Sequence, residues 1–378
     1  MRRETTVLLF VILALTLMGV LMGFSAKSVG HIPEQPLELA LYVLGQSKHA
    51  LVGLLVLYIA ARTDYHVLRK PAVLGAITFG VVFLLVAVLI PGVGLERKGA
   101  RRWLGVGEAT FQPSELAKIA LVLVTAMQLS LWQVHIKKFW RCFVPVSLTA
   151  GVFIVLVLME SDLGGPAVMC VALFSLLATA GVRMRYLIGS GAMAVGAFAS
   201  LIVLTPYRFR RLMSFLDPWQ YSQDESFQLI QSMVGFARGG IWGLGPGLSE
   251  QKLHYLPEAH NDFIFAILAE ELGLIGTTTV LVLFMLMFVM ALRIASHARD
   301  LYGALLAIGI SSMITFQAAF NMAVTIGLVP TKGLPLPFIS SGGTALIITL
   351  GACGVLINVG LQALEPRRVP ILIPARPI

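Results

Sequence analysis

Glutamate, histidine and aspartate crowd the segment Leu256-Pro257-Glu258-Ala259-His260-Asn261-Asp262-Phe263, where a long polar loop runs into an apolar, helix-forming stretch. A carboxylate at such a boundary is paired, hydrated or put to use, because an isolated buried charge is costly. Asp262 also has a structural account: Asn261 is a good N-cap, and an aspartate in a first helical turn complements the helix dipole. Glu270 lies two turns further on. At i+8 from Asp262 it faces nearly the same way, where it could pair with Lys332 or an arginine. Glu115 and Lys118, at i,i+3, share a helix face, either as an interfacial ion pair or as a tie that orients the nearby Arg101-Arg102 loop. Glu160 and Asp162, followed by Gly164-Gly165, mark a polar opening between two apolar runs, or no more than a short interfacial turn.

These residues are set in lipid-grade sequence. Of 378 residues 57% are hydrophobic and 12% charged, with a mean hydropathy of +0.87. Soluble proteins carry about 25% charged residues, so the chain is a polytopic membrane protein. Apolar runs fall at 7–26, 49–61, 73–92, 116–134, 143–159, 164–182, 186–205, 263–292, 302–326 and 344–361. Backbone groups in lipid must bond within their own segment, so these runs are expected to be helices. The expected fold is all-α: about ten transmembrane helices in a single membrane domain over 1–378, with a large loop, 206–261, between helices 7 and 8. The first run is long and followed by others, which reads as a retained span rather than a cleaved signal. Cys142, Cys170 and Cys353 lie in apolar runs at spacings that suit neither a disulfide framework nor a metal site.

The net charge of +9 reads as topology rather than a nucleic-acid surface. With the N-terminus cytoplasmic, every inner segment holds at least two cations, among them Arg62, Arg69, Lys70, Lys137, Lys138, Arg183, Arg185, Arg293 and Arg299. Both termini are then cytoplasmic. Two outer segments break the bias. Arg97, Lys98, Arg101 and Arg102 occupy one; Arg208, Arg210, Arg211, Arg238 and Lys252 occupy the other. Such clusters suit an anion site, since the arginine fork binds phosphate bidentately, or ordinary pairing with outer carboxylates. Within 206–261, Phe227 to Met233 reads as an amphipathic surface helix, and the glycine-rich 239–247 as a region of tight turns. The loop 327–343, stiffened by three prolines, carries one cation, Lys332.

Taken in order, the motifs Gly99-Ala100-Arg101-Arg102-Trp103, Phe111 to Lys118, Asp162-Leu163-Gly164, Arg210 to Trp219, Gln228 to Ser232, Leu256 to Phe263 and Pro330-Thr331-Lys332-Gly333 resemble the SEDS family (shape, elongation, division and sporulation) over essentially the whole chain. Ala259 and Thr331-Lys332-Gly333 resemble its division branch, typified by FtsW, more than its elongation branch. Ser341, Asn261, Ser161 and Gly165 depart from the usual tyrosine, threonine, proline and threonine of the family pattern.

The resemblance implies a peptidoglycan glycosyltransferase that polymerises lipid II during cell division, on the outer face of the cytoplasmic membrane. Asp262 would be its catalytic base, activating a sugar hydroxyl. Arg101, Arg102, Lys118, Arg210, Arg211 and Lys332 are the candidates for the pyrophosphate, and Glu115, Asp162, Glu258 and His260 for support. A divalent cation could bridge Asp262 or Glu258 to pyrophosphate, though no metal-ligand spacing demands one and no cofactor is certain. The implied partners are a class B penicillin-binding protein transpeptidase and other divisome proteins. A lipid II flippase or a scaffold for the transpeptidase is the competing reading. A flippase would need charge through the membrane midplane, whereas here charge crowds one face.

Overall fold

The computed structural model describes residues 2–27, 36–97, 100–106, 109–221, 226–256 and 261–364. Each apolar run falls on a helix: α1 (Arg2–Lys27), α2 (Pro36–Arg62), α3 (Pro71–Leu89), α4 (Pro113–Leu131), α5 (Val144–Met159), α6 (Gly164–Ala180) and α7 (Met184–Val203), then, beyond the long loop, α10 (Ile264–Ser296), α11 (Leu301–Thr325) and α12 (Gly343–Gln362). Eight of the described helices are long and apolar enough to cross a membrane, with α6 a shorter apolar helix of 17 residues. The short fifth run gains length from a π-helical turn, Phe139–Phe143, that leads directly into α5. Proline in the first turn of α3, α4 and α5 sits where its missing N–H leaves no helical bond unmade.

The bundle is built around α4 and α11, which pack on each other and on α6. Their span segments are 67% buried, against 6% for α7, which lies at the periphery with Leu187 as its one fully buried residue. The difference follows from side-chain chemistry. α4 and α11 carry Glu115, Lys118, Gln317 and Asn321, whose polar groups need protein partners, and lipid supplies none. The outer surface displays Phe79, Phe83, Val152, Ile188, Met193 and Val282, a display suited to lipid rather than water. At the end of the bundle away from the site, the turn between α2 and α3 is fastened to α11 and α12. Tyr65 donates its hydroxyl to Asp300 at 2.9 Å and its N–H to Asn358 at 3.0 Å.

Three features of the site end go beyond the sequence reading. A small antiparallel sheet, β1 (Leu95–Arg97), β2 (Ala100–Val106) and β3 (Ala109–Phe111), stands between α3 and α4. The large loop contains two helices, α8 (Pro206–Leu216) and α9 (Phe227–Gly239), the second extending the expected amphipathic segment. And α10 is broken at Gly273, whose φ of 64° and ψ of −160° favour glycine. The backbone groups freed by this break bond to the glycine-rich loop. Leu244 and Gly245 donate to the carbonyls of Glu270 and Glu271 at 2.9 and 3.0 Å, and Leu274 donates to Gly240 at 2.9 Å. The 239–247 glycines therefore form a docked structure, and the residues 264–272 following Asp262 make a half-helix stapled to it.

Candidate active site

A cavity of about 930 Å³ opens among the ends of the helices on the side that carries the sheet and the long loop. Its walls come from β2, the first turn of α4, the α5–α6 turn, α8, the residues before α10 and the α11–α12 loop. Asp262 lines it, half-buried, just ahead of α10. The capping account of this aspartate does not hold. The N-cap position belongs to Phe263, which makes no side-chain capping bond, and Asn261 instead accepts a hydrogen bond from the Ser341 hydroxyl at 2.8 Å. The carboxylate lies over Gly333: a Cβ added there would come within 2.8 Å of Asp262 Oδ2. Glu258 and His260 lie outside the described residues.

Of the six cations expected at the anion site, four line the cavity. Arg102 does, from β2; its neighbour Arg101 does not, and pairs with Glu96 at 3.2 Å on the exposed side. Arg211 lines the cavity from α8 while Arg210 is exposed and turned away. The residue that joins Arg211 is Arg208, one turn earlier on the same face. The sequence reading placed Arg208 among the outer cations without choosing it; its i,i+3 spacing from Arg211 was the signal.

The remaining groups hold these cations in place. Arg102 donates to the carbonyls of Glu160 and Ser161 at 3.2 and 2.8 Å and approaches Asp162 Oδ1 at 3.9 Å. Ser161 takes a left-handed φ of 63°, a conformation uncommon for a residue with a side chain. Asp162 accepts from the backbone N–H groups of Gly164 and Gly165 at 3.0 and 3.2 Å, so its first task is to hold the N-terminus of α6. Lys118 is bound to Glu115 at 2.8 Å and to Gln317 Oε1 at 2.7 Å, with both members of the ion pair almost fully buried. Lys332 stands among like charges. Burial, then Arg211 and Arg208, pushes its ammonium down to about 8, against the pull of Asp162. Glu160, buried behind the same turn, has its carboxyl pushed up to about 8 by burial and by Asp162. Among the described residues neither of its oxygens meets a partner in hydrogen-bonding geometry, though the nearby Ser114 hydroxyl acts in the opposite direction on its carboxyl.

Glu270 belongs elsewhere. It does not reach Lys332 but approaches Arg238 at 3.8 Å and accepts from the Ser249 hydroxyl and from the N–H groups of Glu250 and Gln251. Glu271 pairs with Lys252 at 3.2 Å, which takes that cation away from the cavity too. Both carboxylates serve the docking of the long loop. Among the described residues no group of three or more His, Cys, Asp and Glu is placed to hold a metal ion. Of the other two described cavity carboxylates, Asp162 is engaged by the Gly164 and Gly165 N–H groups and Glu115 by Lys118.

The cavity thus combines one carboxylate fit to take a proton with Arg102, Arg208, Arg211 and Lys332, four cations fit to receive a polyanion. Comparison with known proteins shows the family. Residues 5–364 match the family model for the cell cycle proteins FtsW, RodA and SpoVE. The chain is similar to the probable peptidoglycan glycosyltransferase FtsW of Geobacter sp. (strain M18), 41% identical over 356 residues, covering 94% of this chain and 96% of that one. It is about as similar to stage V sporulation protein E of Bacillus subtilis (strain 168), 40% identical over 356 residues, 93% of this chain and 96% of the other. Among solved structures it resembles a chain described under structural coordination of polymerization and crosslinking by a peptidoglycan synthase complex (TM-score 0.77, 28% identity, 95% of this chain and 98% of that chain). It also resembles the rod shape determining protein RodA of Thermus thermophilus (TM-score 0.67, 25% identity, 95% and 97%).

Proposed function

The chain belongs to the SEDS family of cell cycle proteins, that of FtsW, RodA and SpoVE, and on that premise we propose how its cavity carries out peptidoglycan glycosyl transfer. The substrate is lipid II, a disaccharide peptide linked through pyrophosphate to a polyprenyl chain. The 4-hydroxyl of the acceptor GlcNAc attacks the anomeric carbon of the donor MurNAc, the bond to pyrophosphate breaks, and the lipid pyrophosphate leaves. Asp262 takes the proton from the attacking hydroxyl, which is a poor nucleophile until that proton is removed. Arg102, Arg208, Arg211 and Lys332 stabilise the charge that grows on the leaving group. Lys118 acts at one remove, holding Glu115 and Gln317.

The observation that carries this reading is the placement of Asp262 and those four cations around one cavity, when chain positions as far apart as 102 and 332 had to be folded together to do it. All lie at one end of the helices. The cations Arg69, Lys137, Arg183, Arg293 and Arg299 stand near the other end, and the positive-inside rule then supports a cavity on the outer face of the cytoplasmic membrane. The same segregation disfavours a flippase, which needs polar groups along the whole path. We further propose that the chain works in cell division with a class B penicillin-binding protein as its crosslinking partner. The synthase-complex relative, which couples polymerization to crosslinking, supports such a pairing.

Purified full-length protein with its partner and labelled lipid II tests the assignment. Asp262→Ala is expected to abolish glycan strands while folding, partner binding and lipid II binding persist. Undiminished polymer from that variant would sink the role given to Asp262.

A further inference from the structure

α11 presents two uncharged amides one turn apart on its buried face, Gln317 and Asn321. An amide buried in an apolar bundle is costly unless hydrogen bonds replace its water. The bonds made by Asn321 are informative. Its Nδ2 donates to the backbone carbonyl of Asp262 at 2.8 Å and to that of Leu334 at 2.7 Å, so both N–H groups of one side chain are spent on two segments of the cavity wall. Its Oδ1 is buried with no partner among the described residues, so the favourable contribution comes from the donors. Gln317 continues the pattern. It accepts from Lys118 at 2.7 Å and donates to the carbonyl of Pro335 at 2.9 Å.

The two segments joined by Asn321 are irregular. Asp262 lies in a turn, and Lys332 to Pro335 run without regular structure. Among the described residues no backbone–backbone bond joins them. Their separation nevertheless decides where the Asp262 carboxylate stands against Lys332 and Gly333. We propose that Asn321 is a positioning residue for glycosyl transfer, bridging the carbonyls of Asp262 and Leu334 so that the base is held in register with the Lys332 side of the cavity. The proposal rests on the reading of Asp262 as the base. Asn321 itself touches backbone only and does not line the cavity.

The test uses the full chain with its partner in lipid nanodiscs, with labelled lipid II, and measures kcat, KM and thermal unfolding for Asn321→Leu and Asn321→Asp beside Asp262→Ala. Asn321→Leu keeps the bulk and removes the donors. Its kcat should fall by about 10- to 100-fold, the scale of an ångström-level misplacement, with KM within about two-fold. Asn321→Asp supplies a pH readout that a purely structural role would not give. Facing two carbonyl oxygens in a buried site, its carboxyl favours the protonated form, which has one O–H to donate; ionised, it has none and repels both carbonyls. Its rate relative to wild type should therefore fall as pH rises. Wild-type kcat in Asn321→Leu, a raised KM at unchanged kcat, or an Asn321→Asp deficit that is the same at every pH would overturn the proposal. If Asn321→Leu does not fold, the Asn321→Asp profile decides. Polymer from Asp262→Ala would remove the base reading and this proposal with it. An inactive Asp262→Ala beside fully active Asn321 variants would overturn this proposal alone.

Discussion

Adding one methyl group at Gly333 should separate catalysis from stability. An alanine Cβ there would lie 2.8 Å from Asp262 Oδ2 and 3.5 Å from its Cγ. Ordinary van der Waals contact begins near 3.4 Å, so the carboxylate oxygen must move by about 0.6 Å, the difference of the two distances. The displaced atom is the end of a side chain in an open cavity, so it can move without disturbing the bundle. Gly333 does not adopt a left-handed φ, so alanine fits its backbone. Such a replacement by itself stabilises by roughly 0.4–1 kcal/mol through the unfolded chain, enough to offset a small local displacement. The reaction is less tolerant. A base must stand within about 2.6–3.2 Å of the hydroxyl it deprotonates. A misplacement of about 1 Å costs on the order of 100-fold, which for 0.6 Å scales to roughly ten-fold. Gly333→Ala should thus lose about ten-fold in kcat for lipid II polymerisation, with its melting temperature and lipid II affinity near those of wild type. A well-folded Gly333→Ala protein with unchanged kcat would refute the reasoning, because the Asp262 carboxylate would then not depend on that contact.

The cation assignment predicts paired contrasts. Arg102→Ala and Arg211→Ala should each lower kcat/KM by ten-fold or more (about 1.4 kcal/mol or greater), whereas Arg101→Ala and Arg210→Ala should stay within about two-fold in the same polymerisation assay. Lys332, pushed down to about 8, is charged below that pH and loses its proton above it. Pyrophosphate binding to the wild type, followed by competition with lipid II, should weaken as pH rises through about 8, and Lys332→Arg should flatten the dependence. Glu160 has its carboxyl raised from 4.5 to about 8, so the folded protein holds a proton that the unfolded chain releases. Its contribution to stability is complete below 4.5 and is lost as pH rises through about 8. Glu160→Gln should melt like the wild type at pH 4.5 and at progressively higher temperature than the wild type toward pH 8. Parallel melting curves across that range would show that the carboxyl is not held neutral.

The amino-acid sequence by itself determined whatever depends on local composition or on one residue's own chemistry. Twenty-residue apolar runs must become helices because lipid offers the backbone no partner, and lysine and arginine counts set which loops stay inside. The Glu115–Lys118 pair was legible because i,i+3 spacing closes within one turn, and its partners are indeed each other. Asp262 and Lys332 stood out because charge at a membrane boundary is costly enough to require a reason. Tertiary structure decided which charged groups meet. Arg101 and Arg102 are identical in type and adjacent, yet Arg102 lines the cavity while Arg101 pairs with Glu96. Arg208 replaces Arg210 beside Arg211 because α8 turns 208 and 211, one helical turn apart, to the cavity, and the spacing alone could not say which face the cavity takes. Glu270 faces as Asp262 does on an ideal helix, but the loop docked at the Gly273 break claims its carboxylate. Asn321 gave no signal beyond being polar in an apolar span, because its partners are carbonyls 59 and 13 residues away. Every residue carries a carbonyl, so no residue type marks one as a partner, and only the folded path of the chain brings these two within reach of one amide.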